Sequence, residues 1–229
     1  MFRETTDYLV FRSSLLQAIQ RFECDIYAYV FMTNHVHLLM SSSIERGISL
    51  LMKNVGSQYA RYFNDRYVRT GGLFEGRYRA TVIDSEAYLF TCSRYIEENP
   101  VRAGMVSERS DYRWSSYGCN AFGAEDPLVT PHERYVALGA SPEQRQMAYR
   151  HLFANPDDAA AFDAIRRATN HSWALGSEEF LKNLNCLGRR PSPQVRGQTR
   201  GQTPGLTPGL TPNLGGYFRL SASRPAGNL

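Results

Sequence analysis

The sequence predicts a mixed α/β fold, and three patterns carry that prediction. Residues 7–22 and 44–67 place apolar side chains at three- and four-residue steps, as amphipathic helices do. Between them, two short apolar runs meet at Thr33-Asn34 and read as a β-hairpin. A further helical pattern starts after Asp84 or Ser85 and runs up to Pro100.

Taken in order, the first helix carries Leu9, Val10, Phe11, Leu15, Leu16, Ile19 and Phe22. The hairpin strands span 24–32 and 35–41. In the second helix Ile48, Leu51, Met52, Val55, Tyr59, Tyr62 and Phe63 lie on or near one face, and Gly71-Gly72 breaks the pattern. Leu73 to Ile83 reads as an extended segment carrying Arg77, Tyr78 and Arg79. The third helix runs through Tyr88, Leu89, Cys92, Tyr95 and Ile96. An oxygen of Asp84 or Ser85 caps it by accepting from a free amide, and Pro100 ends or kinks it near Glu98 or Asn99. Helices are expected over 142–153, 157–169 and 177–187, the first opened by a capping Ser141 with Pro142 at the first helical position.

The chain therefore divides into an α/β domain over 1–125, a small helical region over 126–190 and a tail over 191–229. The tail holds six of the eleven prolines and the near-repeat Thr203-Pro204-Gly205-Leu206, Thr207-Pro208-Gly209-Leu210. Such a segment buries too little apolar surface to offset its ordering entropy, so it is expected to be disordered.

Of the 229 residues, 42% are hydrophobic and 12% aromatic, enough for a real core. The net charge is only +4, but its distribution is uneven. Residues 53–79 hold six basic side chains against two acids, and residues 189–229 hold six arginines and no acid. Blocks of this kind suit a polyanion such as nucleic acid, although solvated basic faces are also common. Cys24, Cys92, Cys119 and Cys186 form no C-x-x-C pair, which argues against a zinc finger and a dense disulfide framework. No apolar run approaches the roughly 20 residues that span a bilayer. The N-terminus lacks a signal-peptide pattern, and a cytoplasmic protein is expected, nucleoid-associated when bound to DNA.

His35 and His37 are the candidate site around which the rest is arranged. In a strand their side chains share one face, where two imidazoles can hold a metal ion. Two half-buried strand residues would look the same. Tyr95 and Asn99, four apart, share a helical face and offer a nucleophile and an amide oxygen as third ligand. Each alone reads equally as a core tyrosine and a helix stop. Three neutral ligands would leave a divalent ion's charge free for a phosphate oxygen.

Three ordered motifs join these residues. They are Met32-Thr33-Asn34-His35-Val36-His37-Leu38-Leu39, then Gly72-Leu73-Phe74-Glu75-Gly76-Arg77-Tyr78-Arg79, then the run from Arg94 through Tyr95, Asn99 and Pro100 to Val106. Together with Trp114-Ser115-Ser116-Tyr117 they resemble the REP-associated branch of the single-tyrosine HUH transposases over residues 2–120. The resemblance implies a ferredoxin-like HUH domain with a central antiparallel sheet. It implies Tyr95 as nucleophile, His35, His37 and Asn99 as metal ligands, and Mg²⁺ or Mn²⁺ as the ion. The implied substrate is single-stranded, hairpin-forming DNA, cleaved to a 5′-phosphotyrosine and a free 3′-hydroxyl by a monomer or homodimer.

Lys53, Arg61, Arg66, Arg77, Tyr78 and Arg79 are then candidates for a groove that tracks phosphates and stacks bases, and Arg102 lies just beyond the nucleophile. Relatives usually carry 20–30 residues before the point where this chain begins, including a strand of the central sheet. A sheet short of that strand is expected here, with backbone groups left unpaired. Three readings follow, the first two being an active strand-transferring enzyme and an inactive hairpin-DNA-binding protein derived from one. An unrelated metal-dependent hydrolase with a structural Tyr95 is the third.

Overall fold

A computed structural model describes residues 1–154, 159–186 and 216–221. Helix α1 (Thr5–Arg21) leads into strand β1 (Cys24–Phe31), a tight turn and strand β2 (His35–Ser42). Helix α2 (Gly47–Arg66) follows, then strand β3 (Arg79–Val82) and helix α3 (Ser85–Glu97). The one-turn helix α4 (Asn99–Arg102) begins around Pro100. Next come α5 (Tyr117–Phe122), α6 (Glu133–Val136), α7 (Pro142–His151), α8 (Ala159–His171) and α9 (Glu178–Cys186). The last described element is strand β4 (Gly216–Ser221).

The mixed α/β class and the central antiparallel sheet agree with the sequence expectation. The extended segment over 73–83 narrows to β3, and the third helix breaks one residue before Asn99. Ser141 caps α7 as its sequence suggests, accepting from the Gln144 amide.

One segment of the tail departs from expectation. Its residues 216–221 form β4, and the sheet order is β1-β2-β4-β3 with every neighbour antiparallel. β4 thus fills the space between β2 and β3, so no gap is left in the ladder there. The expected disorder of 191–215 and 222–229, and residues 187–190 with them, fall outside the described residues.

Strand alternation lets one hairpin serve two cores, and a β-bulge shifts the phase of that alternation along β1. The register shifts between Ile26 and Ala28, which reverses the parity of the inward-facing residues. Ile26, Tyr29, Phe31, Val36, Leu38 and Met40 therefore pack against α1 and α2. Ala28, Val30, Met32 and Leu39 pack on the other face with Leu89, Cys92, Tyr95 and Ile96 of α3 and Ile165 of α8. Both outer edges of the sheet are covered. Phe31 donates its amide to Trp114 and Ser116 donates to Tyr29 along β1, while Leu175 donates to Val82 along β3.

Asp7 locks the helical layer. Its carboxylate is fully buried and accepts from the Arg3 amide at 2.7 Å and the Glu4 amide at 3.1 Å. The hydroxyls of Tyr62 and Tyr67 donate to it at 3.0 and 2.8 Å, tying the start of α1 to the end of α2. Burial pushes the carboxyl up, but these hydrogen bonds outweigh it and hold Asp7 below its ordinary value. Its contribution is therefore present above the unfolded value of 3.8 and lost as pH falls through the lower folded one. Asp7→Ala is expected to cost about 3 kcal/mol in denaturant melts at pH 7, because four donors lose their acceptor. A loss below about 1 kcal/mol would show that the cluster is incidental.

Candidate active site

Strand alternation brings His35 and His37 onto the sheet face that α3 covers. Their rings lie edge to face with centroids 4.7 Å apart. His37 is 2% exposed, whereas His35 is only partly covered. The Oδ1 of Asn34 lies 2.6 Å from Nδ1 of His35. With Nδ1–H donating to it, the lone pair of Nε2 is left for a ligand. Burial, and then the charge of Arg219, push His35 down to about 4. Burial holds His37 well below its usual value too, helped by His35, Arg219 and Arg102. Both rings are neutral at pH 7, the state that binds metal.

Tyr95, from the last turn of α3, meets this pair. Its ring centroid is 6.1 Å from that of His37 and 5.5 Å from that of Phe162 in α8. The guanidinium of Arg102 stands 5.1 Å from the Tyr95 ring and 5.3 Å from Phe162. The phenol is 6% exposed, roofed by α8. Beside it opens a cleft of about 470 Å³ whose walls include Arg94, Glu98, Arg102, Arg109, Phe162 and Arg166. Arg109 is bonded to Glu98, so that pair is neutral overall.

Asn99 belongs to α4, because the kink before Pro100 separates it from the helix of Tyr95. Its Nδ2 donates back to the carbonyls of Tyr95 at 2.7 Å and Ile96 at 3.3 Å. That fixes the amide with Oδ1 turned away from those carbonyls. Two neutral imidazoles and an amide oxygen suit a divalent cation that keeps affinity for anionic oxygen. Among the described residues no group of three or more His, Cys, Asp or Glu side chains is placed to hold a metal ion.

The other sequence candidates do not converge on one groove. Lys53 and Arg61 are exposed on α2, in the layer across the sheet from the histidines. Arg66 pairs with Glu4 at 2.7 Å. Arg77 is exposed in the loop before β3, and the Tyr78 hydroxyl bonds Ser49 at 2.8 Å on the α2 side. Arg79 alone of these is on the histidine face, where it donates to the Asn170 carbonyl. Sequence reasoning missed Phe162 and Arg219. The alternating Gly216-Tyr217-Phe218-Arg219-Leu220-Ser221 was a strand signal, masked by the proline-rich residues before it.

Behind α3 lies a second polar cluster. Glu97 is 1% exposed and accepts from Ser116 at 2.5 Å, Asn120 at 3.1 Å and Tyr149 at 2.8 Å. Burial pushes its carboxyl up to about 7 although these hydrogen bonds pull it down. The folded state thus keeps a proton that the unfolded chain, at 4.5, releases. Stability from this group is greatest below 4.5, falls as pH rises to about 7 and is level above it. Glu97→Gln is expected to remove that slope, gaining about 3 kcal/mol on wild type between pH 4.5 and 7 in urea melts. Parallel profiles would show that the carboxyl does not titrate there.

The fold and site together define a mixed α/β protein with a histidine pair, a tyrosine and an arginine-rich cleft on one side of its sheet. Residues 2–99 match the family model described as "Transposase IS200 like". No curated protein and no solved structure matches the chain. Among the described residues no helix is long and apolar enough to cross a membrane.

Proposed function

We propose that the protein cleaves and rejoins single-stranded, hairpin-forming DNA through a 5′-phosphotyrosine on Tyr95. The observation that carries this reading is the placement of the Tyr95 ring 6.1 Å from His37 on the face that both histidines share. The phenol oxygen attacks phosphorus and the bond to the 3′-oxygen breaks. The phenol proton passes to solvent, and the leaving 3′-oxygen takes one up. A 3′-hydroxyl later attacks the phosphotyrosine, restores a phosphodiester and returns the phenol, so no high-energy cofactor is consumed.

His35, His37 and Asn99 would hold Mg²⁺ or Mn²⁺, which supplies Lewis-acid polarisation of the phosphate. Arg102, beside the phenol, stabilises the negative charge that gathers there during attack. The neighbouring arginine-lined cleft suits the strand that flanks the scissile bond, with Phe162 as a surface on which a base can stack.

The direct test is chemical. Wild-type protein is incubated with a library of hairpin-bearing single strands and Mg²⁺ or Mn²⁺, then digested. Mass spectrometry should find the peptide containing Tyr95 with a nucleotide joined through its 5′-phosphate, and none when the metal is chelated. The 6% exposure of Tyr95 beneath Phe162 favours a second reading, a protein that binds hairpin DNA without cutting it. Salt-sensitive binding with no modified peptide in any metal would establish that reading.

A further inference from the structure

One row of paired residues crosses the whole sheet: Val30 of β1, His37 of β2, Arg219 of β4 and Arg79 of β3. Directly paired residues in antiparallel strands project to the same side. The C-terminal strand therefore delivers a guanidinium to the face that holds the histidine pair. Two features of this placement are unfavourable for the protein alone. Arg219 and Arg79 are like charges directly opposite each other, an arrangement that destabilises a sheet. The Nε of Arg219 is buried and makes no hydrogen bond among the described residues.

Nor is the cluster ion-paired to a carboxylate of the described residues. Among the described residues the ion pairs engage Arg12, Arg66, Arg109, Arg166 and Lys182, and leave out Arg79, Arg102 and Arg219. A buried donor and unneutralised cations around neutral imidazoles are complementary to an anion with several acceptor oxygens. Arginine is the side chain suited to such a group, because its planar fork of N–H donors matches phosphate oxygens in pairs.

We infer that Arg219, carried into the sheet by the C-terminal strand, holds the non-bridging oxygens of a DNA phosphate beside His37. Arg219's part in strand cleavage rests on the Tyr95 reading; its binding of phosphate does not. The tail is then part of the site: β4 both completes the ladder between β2 and β3 and brings the phosphate-holding cation. The same positive charge opposes entry of a bare divalent cation, so the phosphate is bound before or together with any metal.

Inorganic phosphate is the probe, added to the full chain without DNA or metal. In wild-type protein the Arg219 Nε–H resonance, assigned by its disappearance in Arg219→Lys, should shift as phosphate is titrated. Phosphate affinity should fall at least about tenfold in Arg219→Gln and stay at the wild-type level in Tyr95→Phe. On DNA, formation of the Tyr95 adduct should slow about 100-fold in Arg219→Gln, the scale of losing one donor to a transition-state oxygen. The resonance in unmodified protein keeps the test valid if Arg219→Gln does not fold. A resonance that phosphate leaves unmoved, or wild-type phosphate affinity in a folded Arg219→Gln, overturns the assignment. A wild-type protein that binds phosphate through Arg219 but forms no adduct overturns only the strand-transfer reading.

Discussion

Tyr95→Phe is expected to abolish the covalent protein–DNA adduct, a loss of about 10⁴-fold or more in strand cleavage, while binding of the same DNA stays close to wild type. The magnitude follows from removal of the attacking atom itself, since no other residue takes over when a covalent nucleophile is lost. The selectivity follows from the ring's surroundings. Its contacts with His37, Phe162 and Arg102 are all contacts of the aromatic body, which phenylalanine preserves. Cleavage is read from labelled single-stranded DNA on denaturing gels, and binding from the same DNA in a metal-free titration. Adduct formation by the phenylalanine variant at the wild-type rate would remove Tyr95 from the chemistry. Loss of binding and cleavage together would instead mean that the hydroxyl holds the fold of α3.

How much of this site could be read in the sequence depends on the range of the interaction that makes it. The shared face of His35 and His37 follows from strand alternation within a short hairpin, and the structure places them as alternation requires. The helix carrying Tyr95 was equally legible from its periodicity. That its last turn meets the histidines was not, because helix and hairpin are separated by α2 and β3; only the motif resemblance joined them. Asn99 shows the limit of a purely helical reading. Pro100 breaks the helix, so Asn99 is oriented by bonds from its amide to the carbonyls of Tyr95 and Ile96, not by a continuous face. The basic candidates failed to gather for a related reason. One-dimensional charge density does not say which side of a sheet a helix covers, and α2 covers the side away from the histidines. β4 was least legible of all. A strand paired on both sides is fixed by partners distant in sequence, and the proline-rich stretch before it argues locally for no structure at all.

Phe218→Pro tests whether that distant pairing holds the site in shape. Phe218 pairs with Leu38 on one side and Ala80 on the other, in the middle of the ladder. Proline there removes a backbone donor and sets its ring against a neighbouring strand, and an inner strand has no solvent side to accommodate it. The expected result is a stability loss of about 3 kcal/mol or more, from a backbone bond lost in the sheet interior and the neighbouring bonds strained with it. For a chain of this size that lowers the melting temperature by roughly 10 °C. Amide exchange should accelerate selectively over His35–Met40 and Arg79–Val82, the residues that β4 pairs. The amides of α1 and α2 should change least, since their core lies on the opposite face. Adduct formation should fall with the exchange protection, because His37 loses the strand that carries Arg219 beside it. Unchanged melting and unchanged exchange over β2 and β3 would place the C-terminal strand outside the sheet in solution, leaving β2 with an open edge and the histidine pair without its fourth-strand cation.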